Sequence, residues 1–347
     1  MKRCILIVLA TLLTSSGCMN ETVSRRSEPY HPYPTSTVPM TVVDALLADG
    51  ASNLISVEPW YGDEGGGLKL STDHYTVYTT VTKPALLERL AAFVEDAHAE
   101  YVRYVGYDVA PKTRSRIYLF AHRSQWETFT RSFAGDQACL FLKIQEGAYC
   151  LNGYCVAYDI GDEKTIAAIG HEGWHQFTSR HFKYRLPSWL DEGIAMQFET
   201  VLWHLGRAHF DSAQNYYRLA SLRRTIHSEF PMSLSDLLRS SPGQVMASDR
   251  TKTVSVFYSQ SYALVRFLQE AAGPQMREAF HQMIQDGLHG HWPLSEDDLS
   301  IAENRNLPRT LEWNSRVGRQ LFEDYICPDP ESLEKPYLDF CRSLTLD

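Results

Sequence analysis

The sequence lacks several features that would define its class. No apolar run after the first residues approaches the roughly 20 residues that a membrane-spanning helix needs, so we expect no transmembrane helix in the mature chain. It also lacks a basic segment, and the formal net charge is -9 at pH 7. Because nucleic-acid binding depends on neutralising phosphates, we expect no nucleic-acid partner. A Cys-x-x-Cys pair is missing too, which argues against a zinc site built from cysteines.

The amino-terminal residues 1–17 are expected to be a signal peptide. A short basic start precedes the apolar run Ile5–Leu13, which is followed by small residues. Ser16-Gly17-Cys18 resembles a bacterial lipobox, although Ser15 stands where leucine is usual. We therefore expect an exported lipoprotein, anchored by acylated Cys18 to a membrane surface and facing the periplasm or the cell exterior. The alternative is ordinary cleavage near Gly17 without a lipid.

Five cysteines follow Cys18, and export would permit disulfides between them. Cys327 and Cys341 are isolated near the carboxyl terminus and are natural partners. Cys150 and Cys155 flank Leu-Asn-Gly-Tyr, a typical turn between strands, and could pair across it, leaving the remaining Cys139 free. The sequence does not fix the connectivity.

The rest of the chain is expected to have an α+β fold in three segments. Residues 18–45 are polar and proline-rich, as in an extended tether. Residues 46–160 are expected to hold a sheet with helices, and residues 161–347 to form a mainly helical catalytic part. Alternation and periodicity predict strands at 75–82, 116–121, 140–144 and 154–158, and helices at 84–104, 124–133, 163–181, 187–205, 209–229, 254–272, 274–286 and 309–325.

The motif His-Glu-x-x-His at 171–175 carries the predicted chemistry. His171 and His175 are four residues apart, so on a helix they share one face and can bind one cation. Glu172 lies about 100° further round the helix, where it can reach a water on the metal without binding the metal itself. Zn²⁺ lowers the pKa of such a water, and the carboxylate can then accept its proton.

A third ligand is expected from the next helix. A catalytic zinc needs three protein ligands and an open position, and Glu192 follows His175 by seventeen residues. With Trp189-Leu190-Asp191-Glu192-Gly193, the sequence resembles the gluzincin metallopeptidases, more narrowly the peptidase MA-like bacterial proteins. The resemblance implies that Glu192, and not Asp191, is the third ligand.

The same resemblance implies two further roles. Aminopeptidase-type members carry another glutamate seven residues after the third ligand, which is Glu199 here. It would accept a hydrogen bond from a ligand histidine, whereas a solvated surface glutamate is the alternative. The segment from Phe257 resembles the helix that supplies a tyrosine to the oxyanion, which would be Tyr258. Tyr262 is the alternative donor, and packing in the core is the alternative role for both.

We therefore predict a zinc metallopeptidase that acts on peptide or protein substrates. The Gly-x-Met-Glu-Asn-like segment that binds a free amine in aminopeptidases is missing, which favours an endopeptidase. By analogy of position, the strand 154–158 would pair with the substrate backbone as an edge strand. A binding or scaffolding lipoprotein that keeps the fold without turnover is one alternative. Zinc-dependent hydrolysis of a non-peptide bond is another.

Overall fold

The computed structural model describes residues 53–346 except 64, 108, 110–112, 228–230 and 248–250, together with 42, 43 and 46. The predicted signal peptide, Cys18 and most of the predicted tether lie outside these residues. Within the described part, no helix combines the length and the apolar character needed to cross a membrane.

A six-stranded mixed sheet forms the first part of the molecule. Its strands are β1 (Ser56–Gly62), β2 (Gly65–Ser71), β3 (Tyr75–Thr79), β4 (Ser115–Phe120), β5 (Ala148–Leu151) and β6 (Tyr154–Tyr158). They lie in the order β1-β2-β3-β4-β6-β5. The β3–β4 and β4–β6 pairs are parallel and the others are antiparallel. The predicted α+β fold is thereby confirmed, with a mainly helical part following the sheet.

A two-stranded hairpin and a series of helices complete the described fold. The hairpin strands are β7 (Val201–His204) and β8 (Arg207–Phe210). The α-helices are α1 (Pro84–Val105), α2 (Arg123–Phe133), α3 (Ala138–Phe141), α4 (Asp162–His181), α5 (Ser188–Ala195), α6 (Tyr216–Ile226), α7 (Leu234–Arg239), α8 (Pro242–Ala247), α9 (Thr251–Glu270), α10 (Pro274–His289), α11 (Glu296–Glu303), α12 (Leu311–Trp313), α13 (Gln320–Tyr325) and α14 (Glu334–Ser343).

Three predicted elements were wrong. The apolar segment 140–144 is no strand, because its first residues complete α3 and bury Phe141 in a small core beside the sheet. The helix predicted at 187–205 ends at Ala195, passes through a 3₁₀ turn and becomes β7. Leu205 and Gly206 have positive φ angles of 48° and 77°, which turn the chain into β8. The helix predicted at 209–229 therefore begins only at Tyr216.

The order of strands also corrects the expected substrate edge. Strand β6, predicted to be the edge, lies between β4 and β5, so β5 is the edge strand on this side. The reason is the turn at Asn152 and Gly153, whose φ angles of 52° and 76° fold β5 and β6 into a tight hairpin. Strand β5 thus has one neighbour in the sheet, and its residues are mostly buried.

The predicted disulfides were wrong, because the five described cysteines are all free thiols. Cys150 and Cys155 face each other in the hairpin register, but no bond joins them. The thiol of Cys327 donates to the carbonyl of Asp329, while Cys341 is buried in the helical core. Cys139 is free and exposed.

Helix α4 connects the two parts of the molecule. Three residues separate it from the end of β6, and it packs against α1, the β5–β6 hairpin and α5. Most of its central residues are therefore buried, from Ile166 to Thr178. Such a helix is held on several sides, which fixes the direction of the side chains that it carries.

Candidate metal centre

Helices α4 and α5 bring three predicted ligands together. His171 and His175 lie on successive turns of α4, and Glu192 lies on α5. All three residues are buried, and one ligand atom from each lies within 4.8 Å of the others. This buried group in the helical part could hold a metal ion.

The spacing of the ligand atoms fits a single metal ion. Glu192 Oε2 lies 3.2 Å from His171 Nε2 and 3.6 Å from His175 Nε2, and the two Nε2 atoms are 3.2 Å apart. Ligand bonds of about 2.0–2.1 Å at a tetrahedral angle place neighbouring ligand atoms about 3.3–3.4 Å apart. The three atoms are therefore spaced as neighbouring ligands of one tetrahedral metal ion are.

Glu172 lies beside this group but takes no part in it. Its side chain is buried, and neither carboxyl oxygen has a hydrogen-bond partner within the described residues. Burial raises the pKa of the Glu172 carboxyl above its ordinary value. Burying a carboxyl group without a hydrogen-bond partner costs folding free energy. Glu172 therefore destabilises the fold at this position.

Glu199 lies next to the first histidine, as the sequence indicates. Its Oε1 is 2.9 Å from His171 Nδ1. Arg218 Nε donates to Glu199 Oε2 at 2.7 Å, and Asn215 Nδ2 donates to the same oxygen at 2.9 Å. Burial by itself would raise the pKa of Glu199, but the guanidinium of Arg218 and then His171 hold it at about 2. Glu199 is therefore a largely buried, charged carboxylate, with its side chain 9% exposed, and it is held by three partners.

Asp191 is a residue near the site that sequence reasoning missed. Its Oδ1 lies 3.2 Å from His175 Nδ1 and accepts a hydrogen bond from Trp174 Nε1 at 3.1 Å. Its Oδ2 accepts from Arg309 Nη2 at 2.8 Å. Each candidate metal histidine thus has a carboxylate near its Nδ1 atom. Glu199 is within hydrogen-bond geometry of His171, whereas Asp191 lies at an ion-pair distance from His175 without that geometry. The available signal was an acidic residue directly before Glu192.

The buried carboxylates and His175 shift one another's pKa values. Burial alone would lower the pKa of His175, but Asp191 and then Glu192 raise it well above its ordinary value. In the same way, His175 outweighs burial and lowers the pKa of Glu192. A divalent cation bound here would balance the charge on Glu192 with both histidines neutral.

The predicted oxyanion donor lies on α9, the helix that packs against α5. Tyr258 is buried on α9, and the guanidinium carbon of Arg218 lies 5.4 Å from its ring centre. Burial and then the Glu192 carboxylate raise the pKa of its hydroxyl well above the ordinary value. The alternative, Tyr262, instead donates its hydroxyl hydrogen to the carbonyl of Ser212 at 2.5 Å. Tyr258 therefore remains the candidate, in a protonated and neutral form.

A cavity of about 590 Å³ opens beside the group. The edge strand β5 lines one side through Cys150 and Leu151, and His175 and Asp191 line another. The cavity thus lies between the β5–β6 hairpin and the side of the site formed by His175 and Asp191.

The comparisons with known proteins found no match for this chain. No family model matches the chain, and no curated protein matches it. The assignment of a function therefore depends on the geometry of the site.

Proposed function

We propose that this protein is a zinc-dependent peptidase of the gluzincin type, with His171, His175 and Glu192 as the metal ligands. The observation that carries the proposal is the convergence of these three ligand atoms next to Glu172, whose two buried oxygens have no partner in the described part of the chain. A site built only for structure has no use for an uncompensated carboxyl group.

Each residue of the site would have a separate role in the reaction. Bound zinc would supply a Lewis acid that activates water and polarises the substrate carbonyl. Glu172 would accept the proton of the attacking water and return it to the leaving amine. The Tyr258 hydroxyl would donate a hydrogen bond to the developing oxyanion. Glu199 and Asp191 would hold His171 and His175 with their Nε2 atoms toward the metal.

A peptide is the substrate that suits the cleft. Strand β5 is the terminal strand of the sheet beside the cavity, so an extended chain could add to its outer edge as another strand. That mode leaves both ends of the substrate free, in keeping with an endopeptidase. We further propose that the enzyme is exported and anchored by a lipid at Cys18, because the segment before the fold has the pattern of a leader with a lipobox.

Comparing Glu172→Gln with wild-type protein tests the proposal. A peptide library digested with and without a zinc chelator would first supply a substrate. Glu172→Gln keeps all three ligands, so we expect about one zinc per chain, unchanged folding and a loss of activity of roughly 100-fold or more. The matched control is Glu163→Gln, an exposed position on the same helix, which should retain full activity.

Ligand variants complete the experiment. His171→Ala, His175→Ala and Glu192→Ala should each lose tight zinc binding, as measured by metal analysis after dialysis against a weak chelator. Stoichiometric, tightly held zinc in all three variants would contradict the ligand assignment. Chelator-sensitive activity that survives in Glu172→Gln would contradict the mechanism while leaving the zinc site intact.

A further inference from the structure

Arginines line the cavity beside the candidate metal centre. Four of the described residues that line the cavity are arginines, and Asp191 is the one acidic residue among them. These arginines are Arg180, Arg185, Arg305 and Arg309. The whole chain has a net charge of -9, so this local excess of positive charge runs against the composition.

The partners of three of these arginines are mostly neutral. Arg185 is buried and donates to the backbone carbonyls of Asn304 and Leu307 at 2.8 and 2.6 Å. Arg305 is exposed at the rim and donates to the carbonyl of Phe182 at 2.7 Å. Carbonyl groups stabilise the position of a guanidinium group, but they do not neutralise its charge.

Asp191 does not balance the three charges. Its carboxylate accepts from Arg309, but it also faces His175 and Trp174. The Nε atom of Arg309 is buried and has no hydrogen-bond partner among the described residues. Burial, followed by repulsion from Arg309 and Arg305, lowers the pKa of Arg185 to about 9. The cluster is therefore short of negative charge.

We propose that Arg185, Arg305 and Arg309 form a subsite that binds a carboxylate of the substrate and so selects acidic peptides. This inference rests on the proposed peptidase function and names its substrate class. A guanidinium group presents paired donors that match a carboxylate, and three of them around one cavity favour such a ligand strongly. The subsite is a determinant of specificity and takes no part in the bond cleavage.

The position of the cluster sets where the carboxylate falls in the substrate. Arg309 contacts Asp191, and Asp191 contacts His175 of the metal triad. Two contacts, of 2.8 and 3.2 Å, thus connect the cluster with a candidate ligand. We therefore expect the selected carboxylate to lie within a few residues of the cleaved bond. It is either an Asp or Glu side chain or the carboxyl terminus.

A set of matched peptides distinguishes these two sources. One series exchanges Glu for Gln at each of three positions on either side of the cleaved bond, and the other exchanges a free carboxyl terminus for an amide. We expect kcat/KM to be at least about tenfold higher for one carboxylate form, the scale of a charge-assisted hydrogen bond. A Glu preference identifies a side chain, and a preference for the free terminus identifies the terminal carboxylate.

Arg305→Gln is the variant that tests the cluster. Its side chain is exposed and its described partner is a backbone carbonyl, so the fold should survive the change. We expect the preference for the carboxylate form to fall by about tenfold, mainly through KM, while kcat/KM for the neutral peptide stays constant. The matched control is Arg224→Gln, an exposed arginine on α6 outside the cavity lining, which should keep the wild-type preference.

A binding measurement separates this inference from the proposed function. Fluorescence anisotropy of the same labelled peptides with zinc-loaded Glu172→Gln protein requires no turnover. Stronger binding of the carboxylate form that depends on Arg305 supports the subsite even if no peptide is cleaved by the wild type. Cleavage without any preference, or a preference that Arg305→Gln leaves unchanged, would overturn the subsite and leave the peptidase proposal standing.

Discussion

Two neighbouring carboxylates on α5 occupy different positions relative to the candidate metal site. Glu192 Oε2 approaches the Nε2 atoms of both histidines, whereas Asp191 lies at the Nδ1 atom of His175. Successive residues on a helix differ in direction by about 100°, so one of a pair can face the ligand position while the other lies behind it. At the scale of single residues, function depends on direction as much as on residue type.

The charge of Glu199 is predicted to matter for zinc affinity. Glu199→Gln keeps the shape but weakens the interaction with His171 and removes the charge that balances Arg218. We expect zinc affinity to fall by about 10–100-fold, which competition with a chromophoric chelator would measure. Glu95→Gln is the matched control, because Glu95 Oε2 lies 2.6 Å from Nδ1 of His74 outside the triad. Equal zinc affinity in the two variants would contradict the assigned role.

Close contact between helices holds the ligands in place at the level of secondary-structure elements. Helix α5 packs against α9 at Gly193, directly after Glu192. A Cβ atom at this position would lie 2.6 Å from the Ser261 carbonyl oxygen and 2.5 Å from a methyl group of Val265. Because one neighbour is backbone, the two helices would have to separate to admit a methyl group.

Gly193→Ala should therefore disturb both stability and metal binding. We expect a loss of about 1–3 kcal/mol in the free energy of unfolding, together with weaker zinc binding, because Glu192 moves with its helix. Gly287→Ala on α10 serves as the control. Its Cβ would lie 2.7 Å from the Trp292 ring, and both residues are distant in sequence from the triad. It should lose stability with unchanged zinc affinity. Denaturant unfolding and chelator competition would measure the two effects, and wild-type zinc affinity in Gly193→Ala would refute the argument.

At the scale of the whole molecule, histidines lie where the sheet meets the helices. The His98 ring on α1 stacks on His74 at 3.9 Å and approaches Phe177 and His181 of α4. Burial, and then the neighbouring His74, lowers the pKa of His98 to about 4. His98 is therefore neutral at pH 6 in the folded protein. In the unfolded chain at the same pH, the His98 ring is mostly protonated.

This difference predicts a stability that depends on pH. Between the unfolded pKa of about 6.5 and the folded value of about 4, the unfolded chain binds more protons, so stability falls as the pH is lowered. His98→Gln should show a shallower fall in the free energy of unfolding between pH 7 and pH 4. Other groups titrate in both proteins and cancel in the difference. Parallel curves for the two proteins would show that His98 titrates normally in the fold.

A lipid anchor at Cys18 is the second prediction for the whole molecule. If Cys18 is acylated, the mature protein begins at that residue and partitions with membranes. Cys18→Ser should release soluble protein or leave the leader uncleaved, as fractionation and mass spectrometry of the amino terminus would show. Cys139→Ser, at an exposed free thiol, is the matched control and should stay with the membrane. An unmodified mature terminus at another residue would refute the lipid anchor.

The sequence by itself determined the central part of the candidate site. The grouping of His171 and His175 depends on helical periodicity, which is a local property of the chain. Glu192 needed one further step, the expectation that the next helix returns to the first. The α+β order, the long helices α1, α4, α9 and α10, and the hairpin turn at 152–153 were likewise visible, because each depends on a local pattern.

Only the tertiary structure decided what surrounds that part. Asp191 and Arg309 are 118 positions apart, and no local pattern indicates that they meet. The same holds for Arg218 at Glu199, for β5 as the edge strand and for the arginines around the cavity. These features depend on long-range packing, in which burial selects partners from the whole chain and charge in a closed site needs compensation. The local periodicity of the sequence indicates neither which distant residues become partners nor how the buried charge is compensated.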